Sequence, residues 1–196
     1  MRKFTAQEIV NAYKKKGYKL VTLPDTVNIF GIRNKDTKAD TFDDVIGLVW
    51  GDGLNFGVKQ YDATTDPGSY YREKPMNVNG SAIIVPMQHK QCYRVGLHTG
   101  YEAMQQIAPM EYVRDNNKDK ILDFLYKVVG AKKYREIAAT NIHHASKTGK
   151  SGLNYNWSAG CQVIADIKDW TDFMTIIKSS KNKIFDYTLF EIEDFE

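Results

Sequence analysis

The sequence predicts an α+β protein built on a mainly antiparallel or mixed β-sheet with peripheral helices. Short segments rich in β-branched and aromatic residues are separated by polar or glycine-containing turns, which is typical of strands. Helical spacing of apolar residues occurs in only a few places and does not alternate regularly with the strands. With 196 residues, of which 42% are hydrophobic, the chain can bury one core. We therefore predict a single domain over residues 1–196.

The N-terminal segment predicts a helix over residues 5–16 that forms an added layer. Thr5 and Glu8 have the spacing of a capping box. Gly17 is a typical residue for the end of a helix. The residues predicted on the buried side of this helix are Ile9, Val10 and Tyr13.

Seven strands are predicted along the rest of the chain, besides the one that follows Cys161. In order, they are "VNIFGIR", "VIGLVW", "LNFGVKQY", "SAIIVPM", "CYRVGLH", the end of "EIAATNIH", and "KIFDYTLFEI". Between the third and the fourth lies "YDATTDPGSYY", in which Asp66, Pro67 and Gly68 predict a turn.

Three further helices are expected. The segment "YEAMQQIA" predicts a short one, and Asn116 or Asn117 caps a second through "KDKILDFLYKVV" that ends at Gly130. Asp166 caps the last helix. The residues predicted on its buried face are Ile167, Trp170, Phe173, Met174 and Ile177.

Charge and hydropathy argue against two classes of partner. The net charge is +3 and is scattered, with one short run at Lys14, Lys15 and Lys16 that suits a helix end. A nucleic-acid-binding protein more often has a concentrated basic stripe. No apolar stretch approaches the length of a bilayer span, and the N-terminus lacks the apolar core of a secretion signal. We expect a soluble protein that is made in the cytoplasm and needs neither nucleic acid nor membrane.

The two cysteines do not form a disulfide framework, so each thiol needs its own explanation. Cys92 lies inside a predicted strand and is expected in the core. Cys161 lies in the segment "NIHHASKTGKSGLNYNWSAGCQV", between small residues and an apolar run that predicts a strand. It is predicted at a loop-to-strand junction, exposed on one side.

The histidine pair of this segment supplies a partner for that thiol. His143 ends a predicted strand, where a rigid element can hold its ring, and Asn141 points to the same face. A histidine within hydrogen-bond reach can accept the thiol proton and so activate the sulfur. Gly160 allows a substrate to approach the backbone, and the amides of Gly160 and Cys161 can donate to a developing oxyanion. The alternative is that Cys161 is a buried small hydrophobe.

Other polar and aromatic residues are assigned to the same site. We predict roles in oxyanion or substrate binding for Gly160, Ser158, Asn141, Trp157 and His98. Trp157 and Tyr155 can stack on a substrate or simply pin the loop, and His98 can line the cleft or pair structurally. The polar loop that precedes Trp157 is expected at the surface, mobile, and able to lie over the site.

A zinc site is the competing interpretation. His89 and Cys92 have HxxC spacing, and His98 and Cys161 complete four ligands on paper. On a strand, however, residues three apart point to opposite faces. We therefore predict no metal and no cofactor.

"NIHHA" followed by "SAGCQV" resembles the catalytic segment of L,D-transpeptidases, cysteine enzymes that remodel peptidoglycan stem peptides. The 18-position separation of His143 and Cys161 fits that family. The resemblance implies that Cys161 is the nucleophile, that His143 is its base, and that the backbone carbonyl of His144 orients the imidazole. It implies an L,D-transpeptidase-like fold and an oxyanion hole at Gly160 and Cys161. It covers residues 139–164, with a weaker echo of a Thr-Pro-x-Gly turn in "ATTDPG".

Two departures from the family pattern affect the predicted reaction. Ala159 replaces a histidine, and Gln162 and Val163 occupy the stretch where the family has an arginine or asparagine. A divergent member is therefore expected, and hydrolysis of the thioester is predicted alongside cross-linking. Because a cell-wall enzyme without an export signal is typical of phages, a phage lysis protein (an endolysin) or a virion protein is the expected setting.

The predicted function is cysteine-dependent acyl transfer on peptidoglycan peptides. The alternative from another class is a non-catalytic structural or virion-associated protein that keeps the fold. The sequence does not indicate the oligomeric state.

Overall fold

The computed structural model describes residues 2–196, which form an α+β protein dominated by strands. The helices are α1 (Ala6–Lys16), α2 (Ser69–Glu73) and α3 (Ile167–Ser179). The strands are β1 (Asn28–Arg33), β2 (Asp44–Gly51), β3 (Phe56–Thr64), β4 (Ser81–Ile84), β5 (Gln88–His98), β6 (Tyr101–Gln106), β7 (Met110–Asp115), β8 (Tyr134–Glu136), β9 (Ile142–His144), β10 (Gln162–Ile164) and β11 (Phe185–Glu191). Within residues 2–196, no helix has the length and apolar character needed to cross a bilayer.

Eight strands close into a barrel in the order β1-β11-β5-β6-β9-β10-β3-β2. The pairs β1/β11 and β9/β10 are parallel, and the other neighbours are antiparallel. The contact between β6 and β9 is a single register pair, Met104 with Ile142. Strands β4, β7 and β8 form a separate antiparallel sheet. The α+β class and the mixed strand directions are confirmed, whereas barrel closure was not predicted.

The two faces of the barrel wall are covered by different helices. Ile29 of β1 belongs to the core cluster that contains the buried face of α3. Its neighbour Phe30 belongs to a second cluster with α1, because successive side chains of a strand point to opposite faces. Helix α1 is therefore an added layer on the outside of β1 and β2, as predicted.

The first and last helices begin where the sequence predicts. Thr5 accepts a hydrogen bond from the Glu8 amide, the Glu8 carboxylate accepts from the Thr5 amide, and Gly17 ends α1 with a φ of 66°. Asp166 caps α3 by accepting from the Lys168 amide at 2.9 Å. The residues of the two predicted buried faces are buried as expected, with Ile167 partly buried: Ile9, Val10, Tyr13, Trp170, Phe173, Met174 and Ile177.

The predicted helix at "YEAMQQIA" is wrong, because these residues form β6. Thr99 and Gly100 have φ angles of 46° and 93°, which makes a tight hairpin turn between β5 and β6. An isolated helix of this length is unstable in water, so pairing with β5 overrides the local helix propensity.

The predicted helix through residues 118–129 is also wrong. The chain there is irregular, with a 3-10 helix at Leu125–Lys127. Asn117 donates to Asp119 at 2.9 Å and to Asp123 at 2.7 Å, and Asp119 accepts from the Ile121 amide. Such local side-chain bonds compete with the helix.

Candidate active site

Cys161 lines a cleft of about 680 Å³. The walls come from the segments that precede β9 and β10, from the hairpin between β5 and β6, and from the three-stranded sheet. Five of the predicted site residues line the cleft: His98, Asn141, Trp157, Gly160 and Cys161. The remaining three, His143, His144 and Ser158, do not line the cleft and are buried.

The parallel pairing of β9 with β10 joins the histidine and cysteine segments. Gln162 is in register with Ile142, and Val163 with His143. The Gln162 amide donates to the Asn141 carbonyl at 2.8 Å. Cys161, one position before β10, consequently lies level with Asn141 on the adjacent chain segment.

The ring of His143 is held by its neighbour's backbone. Nδ1 lies 2.8 Å from the His144 carbonyl oxygen, so Nδ1 carries the proton and donates it. Nε2 then has a free lone pair and no protein partner among residues 2–196. Burial lowers the pKa of His143 to about 3, although the bond to the His144 carbonyl opposes that shift. The imidazole is therefore neutral at physiological pH and can accept a proton at Nε2.

His98 lies directly on this imidazole. The two rings are stacked with centroids 4.2 Å apart and planes inclined by 10°. His98 Nδ1 accepts from the Asn141 side-chain amide at 3.0 Å, and Asn141 Oδ1 accepts from the Gln106 amide at 2.9 Å. Burial lowers the pKa of His98 as well. His98 thus both lines the cleft and pairs structurally, and it lies on a hairpin rather than before a helix.

The Cys161 thiol points at the backbone. It donates to the Ala139 carbonyl oxygen at 3.5 Å. Burial raises the pKa of Cys161 to about 11, and a hydrogen bond from the Asn141 backbone opposes that shift. Within the described chain, neither Cys161 nor Nε2 of His143 is hydrogen-bonded to the other. In this conformation the thiol does not donate its hydrogen bond to His143.

The turn before the thiol is built by Ser158 and Gly160. The Ser158 hydroxyl donates to the Cys161 carbonyl at 2.7 Å and accepts from the Gly160 amide at 3.1 Å. Gly160 has a φ of 130°, and an added Cβ would lie 2.8 Å from the Ala82 carbonyl oxygen, so glycine is required. One of the two predicted oxyanion donors, the Gly160 amide, is thus engaged. The Cys161 amide has no protein acceptor in the described part of the chain.

The "ATTDPG" turn contacts the chain segment around Cys161. Gly68 donates to the Ser158 carbonyl at 2.9 Å, and the Gln162 side chain donates to the Thr65 carbonyl at 3.3 Å. An added Cβ on Gly68 would lie 2.0 Å from the Tyr155 carbonyl oxygen. The turn fixes the position of the cysteine loop and does not line the cleft.

The loop between His144 and Cys161 is anchored rather than free. The Asn154 amide donates to the Asp40 carbonyl at 3.0 Å, and the Ser151 amide donates to the Ala165 carbonyl at 2.9 Å. The Tyr155 ring packs against Tyr70 with centroids 5.6 Å apart. Tyr155 therefore pins the loop to α2.

Trp157 remains available to a ligand. Its side chain lines the cleft, and the residue is 40% exposed. An indole at the rim of a cleft can stack on a peptide or a sugar.

The second histidine and cysteine pair is structural. Cys92 is fully buried, as predicted. His89 Nε2 lies 2.9 Å from the Val85 carbonyl oxygen, and Nδ1 accepts from the Glu111 amide at 3.4 Å. Both ring nitrogens are thus engaged by the backbone, which leaves His89 no lone pair for a metal. Residues 2–196 contain no group of three metal-ligating side chains.

Sequence reasoning missed three residues of the site. Ala139, whose carbonyl accepts a hydrogen bond from the thiol, has a φ of 57°, a conformation that an alanine does not signal in a sequence. Arg114 and Glu136 also line the cleft but come from β7 and β8 of the other sheet. Their place depends on how that sheet packs against the barrel.

Comparison of the chain with known protein families, with curated proteins and with solved structures finds no match.

Proposed function

We propose that the chain is an L,D-transpeptidase-like enzyme that transfers acyl groups of peptidoglycan stem peptides through a thioester on Cys161. One observation carries the proposal. The neutral ring of His143 is fixed by the His144 carbonyl with Nε2 unpartnered, one strand away from a thiol that lines an open cleft. A base with one nitrogen anchored and the other free is an arrangement that nucleophilic catalysis can use, and it lies on the strand that pairs with the one directly after Cys161.

In the first half of the reaction, the Cys161 side chain turns from Ala139 toward the imidazole. Its proton passes to Nε2 of His143 as the sulfur bonds to the peptide carbonyl carbon, and the Cys161 amide donates to the resulting oxyanion. The carbon–nitrogen bond then breaks. The leaving amine takes the proton from His143, and the acyl group stays on sulfur as a thioester.

In the second half, water or an amine attacks the thioester carbonyl. His143 accepts the proton of the attacking group and returns it to the sulfur. Water gives hydrolysis, and an amine gives a cross-link. Both outcomes belong to the proposal because the chain lacks the family's residues after the cysteine. Gln162 is fully buried and bonded to Thr65, Gly160 and Tyr187, so it offers a substrate nothing.

The pKa values favour one form of this mechanism. With the pKa of the thiol near 11 and that of the imidazole near 3, both groups are neutral at pH 7. The proton is therefore transferred during attack by the sulfur, not beforehand in a resting thiolate–imidazolium pair. Catalytic hydrogen bonds that are absent in a free enzyme often form only with substrate bound.

The test is turnover of disaccharide peptides isolated from peptidoglycan, followed by mass spectrometry. We expect Cys161→Ala to abolish both hydrolysis and exchange, and Cys92→Ala to retain them. A thiol-directed acylating agent should modify Cys161 and spare Cys92. Turnover that persists in the Cys161→Ala protein would end the proposal.

A non-catalytic structural or virion-associated role is the second candidate. The observation that favours it is the thiol itself, which is held by a backbone carbonyl and has a raised pKa. This role predicts no turnover by the unmodified protein on any peptide. It also predicts that Cys161→Ala lowers stability or assembly yield only.

A further inference from the structure

The cleft contains one cation and one anion. Among the described residues that line it, only Arg114 and Glu136 carry a full charge at neutral pH. They project from β7 and β8 of the three-stranded sheet, whereas Cys161 belongs to the barrel side of the same cleft. The reaction proposed above uses neither of them.

The Arg114 guanidinium is held in place before any ligand arrives. Nη1 donates to the Gly80 carbonyl at 2.8 Å. The charged group lies 4.9 Å from the Tyr112 ring centroid and 5.6 Å from that of Tyr134. Only 8% of the side chain is exposed. A guanidinium held by a carbonyl and by contact with two aromatic rings loses little further freedom when it binds a planar anion.

Part of its donor capacity is unused. Nη2 approaches the Tyr112 hydroxyl at 3.2 Å and Glu136 Oε1 at 3.5 Å. Of five N–H groups on a guanidinium, the Nε–H has no protein acceptor within residues 2–196, and Nε is not among the unpaired polar atoms sealed from solvent. This unpaired donor belongs to a side chain that lines the cleft.

Glu136 does not saturate the arginine. One carboxylate oxygen meets one nitrogen at 3.5 Å, and the glutamate side chain is 57% exposed. A contact this long to a largely exposed carboxylate contributes little. A carboxylate that offers two oxygens to the fork would bind more strongly.

We propose that Arg114 determines substrate specificity by binding a free carboxylate of the peptide whose carbonyl Cys161 attacks. The inference rests on the proposed function and names its substrate class: peptides with an unamidated carboxyl group close to the reacting carbonyl. Glu136 weakens that binding because it competes for the same guanidinium.

The experiment uses two alkylating probes that differ only in charge, bromoacetyl-alanine and bromoacetyl-alaninamide. In each case the sulfur forms a bond to the methylene carbon, bromide leaves, and the thiol proton passes to buffer. The ratio of the two rates at Cys161, measured by peptide mass spectrometry at low salt, reports attraction of the carboxylate independently of turnover. We expect the ratio to fall roughly tenfold in Arg114→Gln.

Three further variants make the result specific. Arg114→Lys should keep part of the preference, because a point charge remains without the fork. Glu136→Gln should raise the ratio above that of the unmodified protein. Arg135 is an exposed arginine next to Glu136 on β8 that does not line the cleft, so Arg135→Gln should leave the ratio unchanged.

An equal ratio in the unmodified protein and in Arg114→Gln would overturn the inference. If Arg114→Gln does not fold, the unmodified protein decides: salt near 0.5 M should abolish a preference that depends on charge, and an unchanged ratio refutes it. A charge preference without any peptide turnover would refute the proposed function and leave the carboxylate site standing.

Discussion

Two histidine and cysteine pairs occur in this chain, and they differ in what the backbone leaves free. In the pair His89 and Cys92, both ring nitrogens are bonded to main-chain groups and the thiol donates to the His89 carbonyl at 3.4 Å. In the pair His143 and Cys161, one ring nitrogen is bonded and the other is unpartnered. The first thiol is fully buried, whereas the second lines a cleft.

The comparison teaches that the role of a histidine and cysteine pair depends less on residue type than on which of their hydrogen-bonding atoms already have partners. A buried histidine with both nitrogens engaged stabilises the fold. A buried histidine with one unpartnered nitrogen makes the fold less stable. Such a nitrogen is expected where a substrate supplies the missing hydrogen-bond partner. The two regions therefore make opposite predictions for the same substitution.

The largest expected effect comes from replacing each histidine by glutamine. His143→Gln should lower peptide turnover by about 10²- to 10⁴-fold, the usual contribution of a general base. His89→Gln should keep turnover and lower the free energy of unfolding by about 1–3 kcal/mol, because buried backbone groups lose partners. Chemical denaturation and turnover measured on both proteins check the pair.

The proposed difference between the two pairs is wrong if His143→Gln affects stability and His89→Gln affects turnover. Full turnover in His143→Gln would assign that ring a structural role like that of His89. A His89→Gln protein with normal stability and no turnover would show that the buried pair reaches the cleft.

Alkylation of the two thiols by iodoacetamide is the next test. Cys161 should react at least about a hundredfold faster than Cys92, which is exposed only when the protein opens. Because its pKa is raised to about 11, the Cys161 rate should climb about tenfold per pH unit from pH 7 to 10. The profile should be the same in His143→Gln, since no resting ion pair exists to be lost. A plateau of reactivity near neutral pH that disappears in that variant would contradict the neutral resting pair.

Local sequence signals predicted the helices whose ends are capped by their own residues. They failed where the structure depends on contacts with residues far away in the sequence. The cap residues Thr5 and Asp166 satisfy their own helix ends, so α1 and α3 could be predicted from a few neighbouring residues. Residues 101–108 have helical propensity, but pairing with β5 determines their structure. The closed barrel depends on strand pairs far apart in sequence, such as β1 with β11, which no local pattern encodes.

The site residues likewise fall into those that a local sequence pattern predicts and those that it does not. His143 and Cys161 lie only 18 positions apart, and the parallel pairing of β9 with β10 brings their two chain segments side by side. The role of the His144 carbonyl was implied by the family resemblance of this segment, and the structure has the corresponding hydrogen bond to His143. Arg114 could not be found, since it reaches the cleft from another sheet.

Acid should narrow the stability difference between the unmodified protein and His89→Gln. Burial lowers the pKa of His89 to about 4, below its unfolded value near 6.5. The folded pKa is depressed, so the stability from the neutral ring is present above pH 6.5 and lost as pH falls toward 4. Within that window the difference in unfolding free energy should change by up to about 1.4 kcal/mol per pH unit, so a gap of about 1–3 kcal/mol should close before pH 4 is reached.

Subtracting the unfolding free energy of His89→Gln from that of the unmodified protein cancels the contributions of other titrating groups. Burial raises the pKa of Asp44 to about 8, which stabilises the fold as pH falls, but it does so in both proteins. The same comparison can be made between the unmodified protein and His143→Gln, because burial lowers the pKa of His143 as well, to about 3. A gap that stays constant from pH 7 to 5 would mean that the ring of His89 titrates normally.

The smallest effect concerns the turn that only the cleft thiol has. Ser158→Ala removes the hydroxyl that bonds the Gly160 amide and the Cys161 carbonyl, so the unfolding free energy should fall by about 1–2 kcal/mol. Cys161 alkylation should change severalfold, because the sulfur is no longer fixed, while Cys92 stays unreactive. Ser146→Ala is the matched control: its hydroxyl makes the same two kinds of local bond, to the Thr148 carbonyl and from the Thr148 amide, but in an exposed loop. Equal effects from the two serines would mean that the turn does not position the thiol.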